Sequence, residues 1–162
     1  MSEVTEEQKM HHYMGIEMNI QTWNLLDNKE RNEQDDFRMI NFAKASLYHW
    51  RKSDKYELVN EQRGQWMLSR VYSCLGKAEE ALSYAKETLK ITEEQDLQDF
   101  DLGYAYESMA RAYAAFDNKD ESIKWLEKAK KAGDLIKDDK DNEYFISDLE
   151  SVNLIINFAK SK

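Results

Sequence analysis

The sequence predicts an all-α protein, built as an antiparallel array of helical hairpins with about seven helices. Apolar residues recur every three or four positions along most of the chain, which is the period of a helix with one apolar face. The 162 residues include no proline and only five glycines, whereas proline breaks helices and marks loops. No segment shows the alternation of a half-buried strand. We therefore expect helices joined by short polar turns.

The first two helices are expected to form a hairpin within residues 6–52. Helix 1 is predicted over residues 6–26, and a polar run at residues 27–32 ends it. Helix 2 is predicted over residues 35–51. Helical spacing predicts one apolar stripe in helix 1 at Tyr13, Ile16, Ile20 and Trp23, and the buried face of helix 2 at Phe37, Ile40, Leu47 and Trp50.

Helix 3 is predicted to be long, from residue 55 to residue 75. Ser53 and Asp54 are typical N-cap residues, and Glu57 follows Asp54 by three positions as in a capping box. Gly76 is expected to end the helix in the left-handed conformation, which glycine adopts without steric cost. Helix 4 is then predicted over residues 78–94.

Three further helices are predicted in the second half of the chain, at residues 102–116, 120–136 and 144–159. Acidic and polar stretches separate them, and such stretches are typical of loops. The last helix carries an apolar stripe at helical spacing, which consists of Phe145, Leu149, Val152, Ile156 and Ala159.

An internal repeat becomes visible when the chain is compared with itself at an offset of 41 residues. Repeats of this length indicate stacked supersecondary units, each too small to bury its own apolar face. The pairs that agree in size or chemistry are Leu68 and Met109, Ser69 and Ala110, Arg70 and Arg111, Tyr72 and Tyr113, Leu75 and Phe116, Glu80 and Glu121, Ala81 and Ser122, Leu82 and Ile123, and Tyr84 and Trp125.

The two copies share a set of signature positions. They are occupied by Leu68, Ser69, Tyr72, Gly76, Glu80, Ala81, Leu82 and Leu89 in the first copy, and by Met109, Ala110, Tyr113, Glu121, Ser122, Ile123 and Ala129 in the second. This pattern resembles the tetratricopeptide repeat (TPR), which implies a right-handed superhelix of helix pairs. The chain departs from the motif in three ways: its period exceeds the usual ~34 residues, Asp117 replaces the turn glycine, and neither copy has the closing proline.

The resemblance implies a single TPR-like domain over residues 1–162. It would comprise a degenerate helical hairpin at residues 6–52, two repeats at residues 55–94 and 99–136, and a capping helix at residues 143–160. A narrower pattern consists of the segments ASLYHW at residues 45–50 and RGQWMLSRVY at residues 63–72. It resembles a group of uncharacterised bacterial proteins, which implies a bacterial origin but no activity.

The resemblance also implies a ligand site, because the first helix of each repeat lines the concave face of a TPR array. The candidate ligand-binding residues are Arg63, Trp66, Arg70, Tyr104, Glu107 and Arg111, together with His49 as a general base or ligand contact. The arginines could grip a carboxylate or phosphate in bidentate fashion, and the aromatic rings could supply flat contact area. The alternative is that these side chains only pack, with Glu107 and Arg111 as a surface ion pair at i, i+4.

No catalytic residue, cofactor or metal site is predicted. His11 and His12 are adjacent and point to different faces, and the chain has no Glu-x-x-His or His-x-x-x-His motif. Cys74 is expected to be a packed, unreactive thiol, since no nearby motif would lower its pKa. Neither a glycine-rich phosphate loop nor a Gly-x-Ser-x-Gly segment is present. We therefore expect a protein that is not an enzyme.

Charge and hydropathy narrow the classes of partner. The formal net charge of −9 would repel a phosphate backbone, so nucleic acid is not expected. No apolar run approaches the ~18 residues needed to span a bilayer, and the N-terminus lacks the features of a signal peptide. The single cysteine suits a reducing compartment. We expect a cytoplasmic protein that does not bind a membrane.

Three functions remain open at this point. The favoured one is a non-catalytic module that binds a peptide or protein on the concave face of the array. A second is a structural unit that forms a homodimer through exposed aromatic residues such as Trp125, or through the stripe of the last helix. A third is a small-molecule site at which His49, Trp66, Arg70 and Glu107 converge.

Overall fold

The computed structural model describes residues 3–158, and this part of the chain is all-α, with no strand. Its seven helices are α1 (Glu6–Asp27), α2 (Glu33–Lys52), α3 (Leu58–Cys74), α4 (Ala78–Glu94), α5 (Asp99–Ala115), α6 (Lys119–Gly133) and α7 (Asp139–Phe158). The predicted fold class is confirmed. Among the described residues, no helix combines the length and the apolar character needed to cross a bilayer.

The helices stack as hairpins, each of which contacts the next. α1 packs against α2, α3 against α4, and α5 against α6, while α2–α3 and α4–α5 contacts join neighbouring hairpins. α7 packs against α5 and α6 and ends the array. Trp66 contacts both apolar clusters of the core, one centred on α1–α4 and the other on α5–α7.

The two repeats use equivalent positions at their helix crossings. In the first repeat the Ser69 hydroxyl donates to the carbonyl of Ala81 at 2.9 Å, and both residues are buried. In the second repeat the Ser122 hydroxyl donates to the carbonyl of Ala110 at 2.7 Å. Ala110 and Ser122 follow Ser69 and Ala81 by 41 positions, so the two contacts are equivalent. The serine lies on the first helix of the pair in the first repeat and on the second helix in the second repeat. Close approach of small residues therefore sets the crossing in both units.

The turn after α3 has the predicted form. Gly76 has φ +69°, and the amide of Lys77 donates to the carbonyl of Tyr72, which is the six-to-one bond of a Schellman motif. Asp117 occupies the equivalent position in the second repeat with φ +57°, and the amide of Asn118 donates to Tyr113. An aspartate thus adopts the left-handed conformation where the first repeat has glycine.

The predicted start of the third helix is wrong. Ser53 is the C-cap of α2, and its hydroxyl accepts from the amide of Lys55. α3 begins at Leu58, after the N-cap Glu57, which forms a capping box with Asn60. The residues that resemble an N-cap instead form the loop between α2 and α3, because serine stabilises turns as well as helix starts.

The apolar faces predicted for the first hairpin are wrong in part. Tyr13 is 62% exposed and Phe37 is 67% exposed, and Ile16 and Ile20 are exposed too. α1 instead buries small and polar residues, among which Gly15 lets the ring of Trp50 approach to 3.0 Å from the position of an added Cβ. The face of α2 that is buried consists of Met39, Ala43, Ser46 and Leu47, with Ile40 and Trp50 half-buried.

The stripe of the last helix is buried as a set. Phe145, Leu149, Val152 and Ile156 are all part of the core, whereas Ala159 lies outside the described residues. Phe145 fits between Gly103 and Gly133, where an added Cβ would lie 3.0 Å and 2.5 Å from its ring. The two glycines are needed because the ring occupies the space that a side chain would fill.

Candidate functional site

Helices α1, α3, α5 and α7 line one surface with residues spaced three or four apart, and two adjoining cavities open there. The first, the Trp66 cavity of about 590 Å³, is lined by Asn19, Trp23, Asp27, Arg63, Trp66, Met67, Arg70, Phe100, Tyr104, Asp141, Tyr144, Ser147 and Asp148. The second, the Cys74 cavity of about 580 Å³, is lined by Trp23, Leu26, Asp27, Lys29, Arg70, Ser73, Cys74, Gly76, Arg111, Ala114, Ala115, Ser151 and Ile155. Because they share Trp23, Asp27 and Arg70, we call them together the central groove.

A network of buried ion pairs ties α3, α5 and α7 together at the middle of this groove. Arg70 donates to Oε1 of Glu107 at 3.2 Å and to Asp148 at 2.7 Å. Arg111 donates to the same Glu107 oxygen at 2.6 Å, and to the carbonyl of Asp148 and the hydroxyl of Ser151. Two guanidinium groups and two carboxylates are therefore engaged with one another.

Glu107 is the centre of the network and is fully buried. Its second oxygen, Oε2, has no hydrogen-bond partner within residues 3–158. Burial alone would lower the pKa of Arg70, but Glu107 and Asp148 outweigh it and the pKa is raised. The arrangement holds Arg70 in its charged form.

Tyr104 extends the network to the aromatic wall of the groove. Its hydroxyl donates to Asp148 at 2.8 Å. Burial first, and then the negative charge of Asp148, raise the pKa of Tyr104 above its ordinary value. The phenol therefore stays protonated and acts as a hydrogen-bond donor.

Arg63 lies at one end of the groove in a bidentate pair with Asp101. Its Nε and Nη2 donate to the two carboxylate oxygens at 2.9 and 3.1 Å. The hydrogen bond to Asp101 raises the pKa of Arg63. The carboxylate is mostly buried while the arginine is half exposed, so this pair connects the starts of α3 and α5.

Aromatic rings make up much of the Trp66 cavity. The ring centroids of Trp66 and Trp23 are 5.9 Å apart, and Tyr104 meets Trp66 edge to face at 5.2 Å. Phe100 contacts Tyr104 at 4.6 Å. Trp66 is half-buried, so it contributes both to the core and to the groove wall.

Six of the seven candidate residues lie in or directly beneath the groove. Arg63, Trp66, Arg70, Tyr104 and Arg111 line the cavities, and Glu107 lies beneath them as the partner of two arginines. The interpretation of Glu107 and Arg111 as a surface pair is wrong, because both are buried.

His49 lies apart from this cluster and lines neither cavity of the groove. Its Nδ1 is 2.7 Å from Nδ1 of His11, which places the two imidazoles in one hydrogen bond between α1 and α2. Tyr48 contacts both rings, and Glu7 lies 3.7 Å from Nε2 of His11. Burial, followed by His11 and Lys52, lowers the pKa of His49.

Two acidic partners of the arginines are absent from the sequence-based candidates, although Glu107 is among them. Asp101 and Asp148 neutralise Arg63 and Arg70, and Ser151 accepts a hydrogen bond from Arg111. For Asp148 and Ser151 the sequence does contain a signal: positions 141, 144, 148, 151 and 155 of α7 follow helical spacing and so share one face. The last helix therefore caps the array and also forms one wall of the groove, which the prediction of a cap alone does not include.

The described residues contain no group of three side chains suited to holding a metal ion. Cys74 is exposed, so the prediction of a packed thiol is wrong. It lies at the end of α3, where the following turn opens to solvent, and Arg31 donates to its sulfur at 3.2 Å.

Comparison with known proteins gives one match. A family model described as a tetratricopeptide repeat matches residues 67–94, which run from the middle of α3 to the end of α4. No curated protein and no solved structure matches the chain. The match falls on the first of the two repeats, the one that keeps the turn glycine.

Proposed function

We propose that this TPR-like helical repeat protein is a non-catalytic binding module, and that it holds an extended peptide or a helix of a partner protein in the central groove. The groove would be the concave face of the array. The observation that carries this proposal is the continuity of the two cavities across α1, α3, α5 and α7, since an elongated ligand needs an elongated site.

The dimensions and the lining of the groove support a binding role. Each cavity falls within the ~300–1,000 Å³ range that is usual for ligand sites. Trp23 and Trp66 offer large, rigid contact surfaces of the kind that dominate binding energies. The network around Glu107 holds α3, α5 and α7 in fixed relation, so little order would have to be created on binding.

A peptide-display selection on the 162-residue chain tests this proposal. Ser147 is exposed on α7 and lines the Trp66 cavity. Ser147→Trp is expected to fill the cavity and weaken the selected peptides about tenfold or more, because it competes for the same apolar surface. Asn157→Trp is the matched control, since Asn157 is exposed on the same helix and lines neither cavity.

Selected peptides that bind both variants as well as the original chain would place the binding surface elsewhere and contradict the proposal. Isothermal titration calorimetry gives the affinities, and circular dichroism checks that each variant keeps its helices.

A second candidate function is self-association through α1. The residues Tyr13, Ile16 and Ile20 share one face of this helix and are exposed. By contrast, the surfaces that the sequence suggests for a dimer are used inside the protein: Trp125 is half-buried against Tyr106, and the stripe of the last helix is core. An exposed apolar helix face of this kind favours pairing with the same face of a second copy.

Light scattering over a concentration series distinguishes this candidate. A dimer that forms through α1 should dissociate when Tyr13 and Ile20 are both changed to serine, whereas Phe37→Ser, an exposed apolar position on α2, should leave it intact. A constant monomer mass at all concentrations would remove the candidate.

A further inference from the structure

The arginines of the Trp66 cavity already have partners inside the protein. Arg63 is held by both carboxylate oxygens of Asp101, and Arg70 lies between Glu107 and Asp148. A ligand carboxylate that took either guanidinium group would leave an acid of the protein largely buried and unpaired, which is strongly unfavourable. Binding of a ligand carboxylate by these arginines, which the sequence suggests, is therefore energetically unfavourable.

The charge that remains in this cavity is negative. Asp27 at the end of α1 and Asp141 in the first turn of α7 both line the cavity and are exposed. Neither carboxylate forms an ion pair with another side chain of the described segment. Arg63 is attracted by Asp141 at longer range, but its hydrogen bonds go to Asp101.

Aromatic rings face the same space. Trp23 and Trp66 lie 5.9 Å apart, and Tyr144, which is 70% exposed, lines the cavity from α7. The faces of such rings attract cations, and their area also suits an aliphatic chain. The cavity thus combines apolar walls with two carboxylates that form no ion pair within residues 3–158.

We propose that the Trp66 cavity binds a lysine or arginine side chain of the partner, with its stem against Trp23 and Trp66 and its charged head attracted by the negative charges of Asp27 and Asp141, which both line this cavity. These two side chains carry an aliphatic stem and a cationic head, and so match both features of the site. The net charge of −9 attracts the same kind of segment at long range. This inference rests on the peptide-binding function proposed above.

The peptides selected on the 162-residue chain provide the first test. They are expected to share a lysine or arginine at one position. Replacing that residue with norleucine, which keeps the stem and removes the charge, should weaken binding about tenfold. The loss should shrink as the salt concentration rises, because exposed charges are screened.

Two double variants test the residues of the cavity. Asp27→Asn with Asp141→Asn is expected to weaken the lysine peptide about tenfold and to leave the norleucine peptide within about twofold. Glu80→Gln with Glu127→Gln is the matched control, because it removes two charges from exposed positions on α4 and α6. The control should leave both peptides within about twofold at physiological salt.

The outcomes separate this inference from the function on which it rests. Peptides that Ser147→Trp blocks, but that show no preference for lysine or arginine, overturn the inference and leave the binding function standing. Equal losses in both double variants also overturn it, since net charge and not the cavity would then attract the peptide. If Ser147→Trp blocks no selected peptide, the proposed function fails and the inference fails with it.

Discussion

Glu107 shows how a single buried residue can organise charges from three helices. One of its oxygens receives hydrogen bonds from both Arg70 and Arg111, and the residue is fully buried. Breaking a buried pair from one side leaves charges without compensation, which is far more costly than losing a surface pair. The groove therefore depends on this carboxylate although no part of it is exposed.

Replacing Glu107 tests that dependence. Glu107→Ala is expected to lower the free energy of unfolding by about 3–5 kcal/mol, because two guanidinium groups lose their shared carboxylate. Glu107→Gln should also destabilise the protein, because it keeps the shape of the side chain but removes the negative charge that the two arginines share. Urea unfolding followed by circular dichroism measures both.

The control for this prediction is Glu87→Ala, which removes an exposed ion pair with Lys90. Its effect should stay below about 1 kcal/mol. Equal effects at Glu87 and Glu107 would mean that burial does not set the strength of the network.

The histidine pair between α1 and α2 predicts a loss of stability in mild acid. The pKa of His49 is lowered from 6.5 in the folded state, so the unfolded chain takes up the proton first. The contribution of His49 to the free energy of unfolding is then unchanged well above pH 6.5 and becomes less favourable as the pH drops from that value toward the lowered pKa. The hydrogen bond between the two Nδ1 atoms, which are 2.7 Å apart, holds one proton. Protonation of the accepting nitrogen would place two N–H groups against each other.

Unfolding free energies at about pH 7.5 and about pH 5.5 check this sign. On going to the lower pH, the original chain should lose more stability, or gain less, than His49→Gln does. His12→Gln lies outside the pair and should keep the full difference. The same pH dependence in the original chain and in His49→Gln would refute the assignment.

At the scale of helices, the turns that end α3 and α5 share one geometry with different residues. Gly76 and Asp117 both have positive φ and precede an amide that donates to the carbonyl five residues back. A side chain with a Cβ is less favourable in this conformation than glycine. The departure of the second copy from the repeat motif therefore changes the stability of the turn and leaves its shape intact.

Substitutions at the two turns should have opposite effects. Asp117→Gly is expected to raise the free energy of unfolding by about 1 kcal/mol, and Gly76→Ala to lower it by about 1 kcal/mol. Asp120→Gly, in the first turn of α6, is the control and should destabilise by about 0.5 kcal/mol, because glycine has a lower helix propensity than aspartate and lacks the negative charge that stabilises a helix start. Thermal unfolding measures all three, and destabilisation by Asp117→Gly would contradict the argument.

At the scale of the whole molecule, the array architecture predicts that a destabilising substitution affects mainly the helices next to it. In the described part of the chain, neighbouring hairpins pack against each other, and α7 packs mainly on α5 and α6, with the Arg70–Asp148 pair as a link to α3. Phe145 is the largest fully buried side chain and fills the space between Gly103 and Gly133. It joins the last helix to the second repeat.

Phe145→Ala is therefore expected to cost about 3–5 kcal/mol and to act locally. Hydrogen exchange should accelerate most in α5, α6 and α7 and least in α1 and α2, because coupling in repeat arrays runs through nearest neighbours. Tyr144→Ala is the control, since this side chain is mostly exposed. Uniform acceleration along the chain would show that the seven helices unfold as one unit.

Helix positions were predictable because they depend on residues close together in the chain. The bounds of α4 match the prediction, and the turn at Gly76 was recognised from one glycine. The start of α3 was not, since Ser53 and Asp54 suit a loop as well as an N-cap. The sequence also did not predict that Tyr13 and Phe37 are exposed. Burial of a helix face depends on which other helix packs against it.

By itself, the sequence determined the all-α class, the number of helices and the repeat register of 41 residues, since periodicity and turn chemistry are local properties. Only the tertiary structure decided which acid neutralises each arginine and which charges the groove keeps. Arg70 and Asp148 are 78 positions apart, and no short-range pattern links them. Electrostatic pairing depends on distance in space, and the folding of the chain alone brings these residues together.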